Sequence, residues 1–199
     1  MKKAIPIPVV LMLALIASSC NFGSYREWIN GIEVVHLQGT PYERGAAYGH
    51  IMKKEIHESI ARWDRDVQST FGRELQWVVN AFFASCSIRE SVELHDPDLL
   101  EEVYGMAESA GVDYSILLAF QMSEELFTLL EGKDAVTCTS VGRSRTDSTA
   151  SILAQNMDPP QFLHGHPIVL HQIPSNGDPE CYVFTVPGLL GLAGMNEKG

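Results

Sequence analysis

The chain has 199 residues and a formal charge of −11, with 45% apolar and 20% charged residues, the proportions of a globular protein. That length holds one ordinary domain, or one and a piece of a second. An acidic balance without a Lys/Arg cluster excludes a nucleic-acid or anionic-membrane surface, so small molecules are the expected partners.

Met1-Lys2-Lys3 is a basic opening, and the apolar run over 4–17 is shorter than the about 20 residues a spanning helix needs. It suits a signal segment over 1–20. The run ends in Leu15-Ile16-Ala17-Ser18-Ser19-Cys20, which resembles a bacterial lipoprotein signal with Cys20 as lipidated mature N-terminus. Ordinary secretory cleavage near Ser19 is the alternative. Both routes export the protein, and a lipid anchor at Cys20 is its only expected membrane attachment. Export permits disulfides, but Cys86, Cys138 and Cys181 are an odd number, so at least one thiol stays unpaired. A Cys86–Cys181 bridge is compatible with the sequence.

From 40 to 131 the pattern is helical, within a helical N-terminal segment placed at 31–133. Thr40-Pro41-Tyr42-Glu43 predicts a helix start, with Thr40 as cap, Pro41 in the first turn and Glu43 completing a capping box. Ala47, Ile51, Ile56 and Ile60 then recur at helical spacing. A second helix is expected from Glu74 to Cys86, and a third from Asp96-Pro97 to Gly111. Asp113 caps a fourth over 114–130, closed by Gly132. After that the period changes. Short β-prone runs at 136–141 and 151–155 flank a turn at 143–149, and two more at 168–173 and 181–186 flank Ser175-Asn176-Gly177-Asp178-Pro179. A helical block followed by a strand block gives an α+β class. The four strands are expected to form one small sheet that the helical block covers on one side only. The ending Gly194-Met195-Asn196-Glu197-Lys198-Gly199 reads like a turn between strands, so the expectation is a truncated chain that neither cleaves itself nor turns over substrate.

No GxSxG elbow, Walker loop or HExxH is present, and the glycines at 188, 191 and 194 lack dinucleotide spacing. His164, His166 and His171 lack metal-ligand spacing and are expected as solvated imidazoles, with no metal and no cofactor. Cys138 opens the first strand, and Asn156-Met157-Asp158 closes the next, so the hairpin is expected to bring Cys138 beside Asp158. A carboxylate alone would raise a thiol's pKa; it makes sense if it orients an amine next to the thiol. That amine would be the α-amino group of Cys138, with a pKa of about 7.7–8.0 and thus a general base near neutrality. Freeing it requires the Thr137–Cys138 bond to break, by an N-to-S acyl shift and hydrolysis. The rival for Cys138 is a buried, inert thiol.

Three stretches together resemble the acyl-coenzyme A:6-aminopenicillanic-acid acyltransferase family of autoproteolytic cysteine N-terminal-nucleophile (Ntn) enzymes. They are Leu37-Gln38-Gly39-Thr40-Pro41-Tyr42-Glu43-Arg44-Gly45 with Tyr48-Gly49, Cys138-Thr139-Ser140 with Leu153-Ala154-Gln155-Asn156-Met157-Asp158, and Pro187-Gly188 through Gly199. The resemblance implies an αββα sandwich, incomplete here, whose catalytic part begins over 138–199. It implies cleavage before Cys138, attack by Cys138 on an amide or thioester carbonyl, and Asp158 holding the new amine, with Asn156 in support. Gln155 stands where the related bile-salt hydrolases carry arginine, and Thr137 where family members often carry glycine. Export separates the protein from cytoplasmic coenzyme A thioesters and favours hydrolysis of an acyl amide over transfer. The alternatives are a phospholipase-B-like Ntn hydrolase and a non-catalytic envelope lipoprotein that binds through the same scaffold. Arg44, Tyr48 and the Gly45/Gly49 pair are expected to pack helices, and Asn196 to serve a turn.

Overall fold

The structure is a computed structural model that describes residues 23–132, 138–144, 146 and 148–198. Its class is α+β: seven helices between residues 41 and 131, a five-stranded sheet, and a separate hairpin. The signal segment, with Cys20, and Thr137 lie outside the described residues.

Thr40 starts helix α1 (Pro41–Ile51) as its local chemistry dictates. Its hydroxyl accepts the Glu43 N–H at 3.3 Å, and the Glu43 carboxylate accepts the Thr40 N–H at 2.9 Å. The apolar run expected to continue this helix is instead shared between α1 and α2 (Lys53–Phe71), which part at buried Met52. Three more helices follow: α3 (Leu75–Ser85), α4 (Ile88–His95) and α5 (Pro97–Ala110), the last closed by Gly111 in the left-handed region at φ 73°. Helix α4 was not expected; it is short, and none of its residues is buried. Asp113 caps α6 (Tyr114–Gln121) by accepting the N–H groups of Ser115 and Ile116 at 2.9 and 3.2 Å. A second break at Met122 splits the expected fourth helix, and α7 (Ser123–Glu131) completes it up to Gly132.

Helices α1 and α5 cross at backbone contact. A methyl group on Gly45 would sit 1.8 Å from the Glu102 carbonyl oxygen, one on Gly49 2.3 Å from that of Met106, and one on Gly105 2.3 Å from that of Tyr42. The helix-packing role expected of the Gly45/Gly49 pair is therefore met from both helices. Arg44 forms a buried ion pair with Glu102 across this crossing and donates to the Gly39 carbonyl at 3.0 Å. Tyr48 has no exposed surface. Its hydroxyl donates toward the Val186 and Leu189 carbonyls, both at 3.2 Å, and accepts the Gly188 N–H at 3.1 Å. Burial pushes its phenol well above the ordinary value of 10.

Strand β1 (Tyr25–Ile29) precedes the segment expected to be helical from residue 31, which itself opens with strand β2 (Ile32–Gly39). The hairpin strands β3 (Thr139–Arg143) and β4 (Ile152–Asn156) pair with each other. Strands β5 (Ile168–Pro174), β6 (Cys181–Thr185) and β7 (Ala193–Asn196) complete the larger sheet, ordered β1-β2-β5-β6-β7, in which only β2 and β5 run parallel. The single four-stranded sheet expected from the C-terminal runs is thus replaced by a hairpin and a sheet that recruits β1 and β2. Val35, Leu37, Ile168 and Leu170 face the helices in one core with Trp63, Phe82 and Phe120. Burial of such a side chain contributes about 1.5–3 kcal/mol relative to exposure.

The other sheet face carries a cross-strand row, Tyr25–His36–His171–Tyr182, in register over four strands. Tyr25 stacks on His36 with centroids 4.3 Å apart, and Tyr182 on His171 at 4.2 Å. The two imidazoles meet Nδ1 to Nδ1 at 2.9 Å, while their Nε2 atoms face Glu27 at 2.9 Å and Glu180 at 3.1 Å. All three contacts are hydrogen bonds together only when the two rings share three N–H protons. Ile29, Ile32, Phe184 and Met195 on this face are exposed, so the helical layer covers one side of the sheet.

Candidate functional site

Cys138 immediately precedes β3. The hairpin register runs from Thr139 opposite Asn156 to Arg143 opposite Ile152, which puts Cys138 across from Met157 and one residue from Asp158. The register brings Cys138 and Asp158 within one position of each other along the backbone. Their side chains are both exposed, and among the described residues no hydrogen bond joins them. Successive residues of an extended strand point to opposite faces, so Met157, rather than Asp158, is the side chain due on the face of Cys138. Asn156 is exposed at the end of β4.

The hairpin stands apart from the core. All ten residues of its two strands are exposed, and Val141 and Leu153 keep 64% and 70% of their surface. Its turn is held by a bridge between Thr146 and Thr149, whose hydroxyls lie 2.6 Å apart, and by Arg143 donating to the Ala150 carbonyl at 3.3 Å. Cys138 is exposed, where the rival reading expects a buried thiol. Cys86 and Cys181 are both free thiols, so the compatible Cys86–Cys181 bridge is not formed. Each is half-buried; Cys86 donates to the Phe82 carbonyl at 3.3 Å, and burial raises the Cys181 thiol pKa.

Beyond the end of β4 at Asn156, Pro159 and Pro160 lead the chain into a single 3-10 turn, Gln161–Leu163. This segment returns along the end of the sheet and walls a cleft of about 310 Å³. Met157, Pro159, Leu163 and Pro167 line it together with Phe184, Val186 and Leu192, and His164 is the polar side chain among them. The lining is predominantly apolar, and Met157 ties it to the position across from Cys138. Sequence reasoning missed this cleft. The available signal was the Asp158-Pro159-Pro160 break directly after the strand, which forces the chain to double back.

The histidines depart from their expected solvated state. His171 is buried in the imidazole pair, and His166 meets the Glu33 carboxylate at 2.6 Å. His164 alone of the three is exposed, with Nε2 3.2 Å from the Pro159 carbonyl. Among the described residues, no group of three or more histidine, cysteine or acidic side chains is placed to hold a metal ion. No helix among them is long and apolar enough to cross a membrane.

No protein-family model matches the chain. It is similar to protein dcd1A of Dictyostelium discoideum, at 24% identity over 96% of this chain and 49% of that protein. It is also similar to protein dcd1B of the same organism, at 26% identity over 64% of this chain and 28% of that protein. The chain thus spans about half the length of dcd1A and less of dcd1B.

Proposed function

We propose that Cys138 is the nucleophile of a self-processing Ntn cysteine hydrolase that cleaves a small acyl amide, exported and anchored through Cys20. The observation that supports this reading is the hairpin register, which puts exposed Cys138 across from Met157, a residue of the apolar cleft, and one position from Asp158 in the chain opposite. A sheet with helices on one face and exposed aromatic and aliphatic side chains on the other is compatible with half of an αββα sandwich.

The chemistry proceeds in two stages. First the Cys138 thiol attacks the Thr137 carbonyl and the acyl group moves from nitrogen to sulfur, which frees the Cys138 amine; water then hydrolyses the thioester, leaving Thr137 as a carboxylate and restoring the thiol. Asp158 then accepts hydrogen bonds from that amine. In the uncut chain this nitrogen is a peptide N–H, so Asp158 has no amine to hold, which fits the missing contact. The free amine takes the thiol proton as general base, and the thiolate adds to the substrate carbonyl. Collapse expels the amine product, and water resolves the S-acyl enzyme. The acyl group occupies the cleft beside Met157, where displacement of water from apolar walls favours hydrocarbon.

The free-standing hairpin specifically favours a second reading, a binding scaffold without catalysis. Acyl trapping separates the two. The protein from its complete reading frame, treated with a p-nitrophenyl acyl ester, is expected to gain one acyl group on Cys138 that hydroxylamine removes. Cys138→Ala is expected to gain none. Acylation absent from the wild type, or unchanged in Cys138→Ala, would leave the scaffold.

A further inference from the structure

Behind His164 lies a second cleft, of about 460 Å³, between α2 and the 3-10 turn; His164 lines both clefts. Arg62 and Arg65, one helical turn apart on α2, line it together with Asp66, Ser69 and Gln161.

The surroundings of these two arginines are unusual for a chain of net charge −11. Arg62 donates from Nε to the Phe162 carbonyl at 3.2 Å and from Nη2 to the Ser59 hydroxyl at 3.0 Å, both neutral acceptors. These bonds hold the guanidinium plane in place, and among the described residues they leave its Nη1 donors unused. Arg65 is exposed, and among the described residues it has no hydrogen bond or ion pair. Asp66 lines the same cleft, so its charged side chains are two guanidinium groups and one carboxylate. A fixed guanidinium fork beside an uncommitted one, with a hydroxyl and an amide within the same walls, is a recognition pattern for an oxyanion. The neighbouring cleft is apolar, and the two meet at a single side chain.

We propose that the two clefts form one site for an anionic amphiphile, with the oxyanion head on Arg62 and Arg65 and the hydrocarbon chain beside Met157, Phe184 and Leu192. The ligand class is a medium-chain acid. The site needs neither the thiol nor chain cleavage, so it stands or falls separately from catalysis.

Calorimetric titration of the Cys138→Ala protein with decanoate, decanol and acetate tests it. Decanoate is expected to bind at least roughly tenfold more tightly than decanol, the usual worth of a charge-assisted hydrogen bond. Arg65→Gln is expected to remove that difference while leaving decanol unchanged, and Arg73→Gln, outside the cleft, to preserve it. Phe184→Ser is expected to weaken decanoate and decanol alike. Equal affinities for decanoate and decanol, or a preference that survives Arg65→Gln, would overturn the proposal. Competition of decanoate with only one of acetate and decanol would also overturn it by showing two unconnected sites.

Discussion

Replacing Gly45 with alanine sets two effects of opposite sign against each other. Alanine is favoured over glycine inside a helix by about 1 kcal/mol. The new methyl group, however, would lie 1.8 Å from the Glu102 carbonyl oxygen and 2.7 Å from its carbonyl carbon. Those are backbone atoms of α5, and no rotamer change relieves the clash. The helices must part by roughly 1.5 Å to recover normal contact, since carbon atoms pack at about 3.5–4.0 Å. Separation also stretches the buried Arg44–Glu102 pair and loosens Gly105 against Tyr42. Overpacking costs about 1–3 kcal/mol and here, between two backbones, belongs at or above the upper end. A net loss of about 2 kcal/mol lowers the melting temperature by roughly 4–8 °C for a chain of this size. Urea denaturation and a thermal scan of Gly45→Ala measure it. A variant as stable as the wild type, or more stable by the helix-propensity gain, would refute the backbone-contact argument.

Three further outcomes are expected. Tyr48→Phe removes a fully buried hydroxyl from the Val186 and Leu189 carbonyls and the Gly188 N–H, and is expected to cost about 1–3 kcal/mol in urea denaturation. The Thr40 backbone N–H, and then its side chain, hold the Glu43 carboxyl below its ordinary 4.5, so this group stabilises the fold above that value and loses the effect as pH falls through the lowered one. The stability difference between wild type and Glu43→Gln is therefore expected at pH 7 and expected to shrink as the pH falls below 4.5 and through the lowered value. With a maleimide, exposed Cys138 is expected to label before Cys181, whose thiol is half-buried and raised in pKa; peptide mapping at short times reads the order.

What was legible in the sequence is local chemistry. Thr40, Asp113, Gly111 and Gly132 mark helix ends because the caps are made by residues within one turn of each other. The strands around 139–143, 152–156, 168–174 and 181–185 announce themselves by β-branched runs between turn residues. The breaks at Met52 and Met122 carry no glycine or proline, so nothing nearby marks them. The parallel pairing of β2 with β5 joins residues about 135 positions apart, and no local period encodes it. The alternation of Val35 and Leu37 before Thr40 did hold a strand signal. Once β2 and β5 pair, His36 and His171 meet, and a histidine expected in solvent becomes part of a buried pair. At the candidate site, the Cys138–Asp158 neighbourhood follows from hairpin length. The two clefts depend on how residues 157–167 fold back against α2 and β6, which is tertiary information.

Whether Cys138 becomes an N-terminal nucleophile is read from the intact mass and N-terminal sequence of the mature protein. A fragment beginning Cys138-Thr139-Ser140, absent from Cys138→Ala, is the expected result. A single uncut chain in the wild type would contradict it.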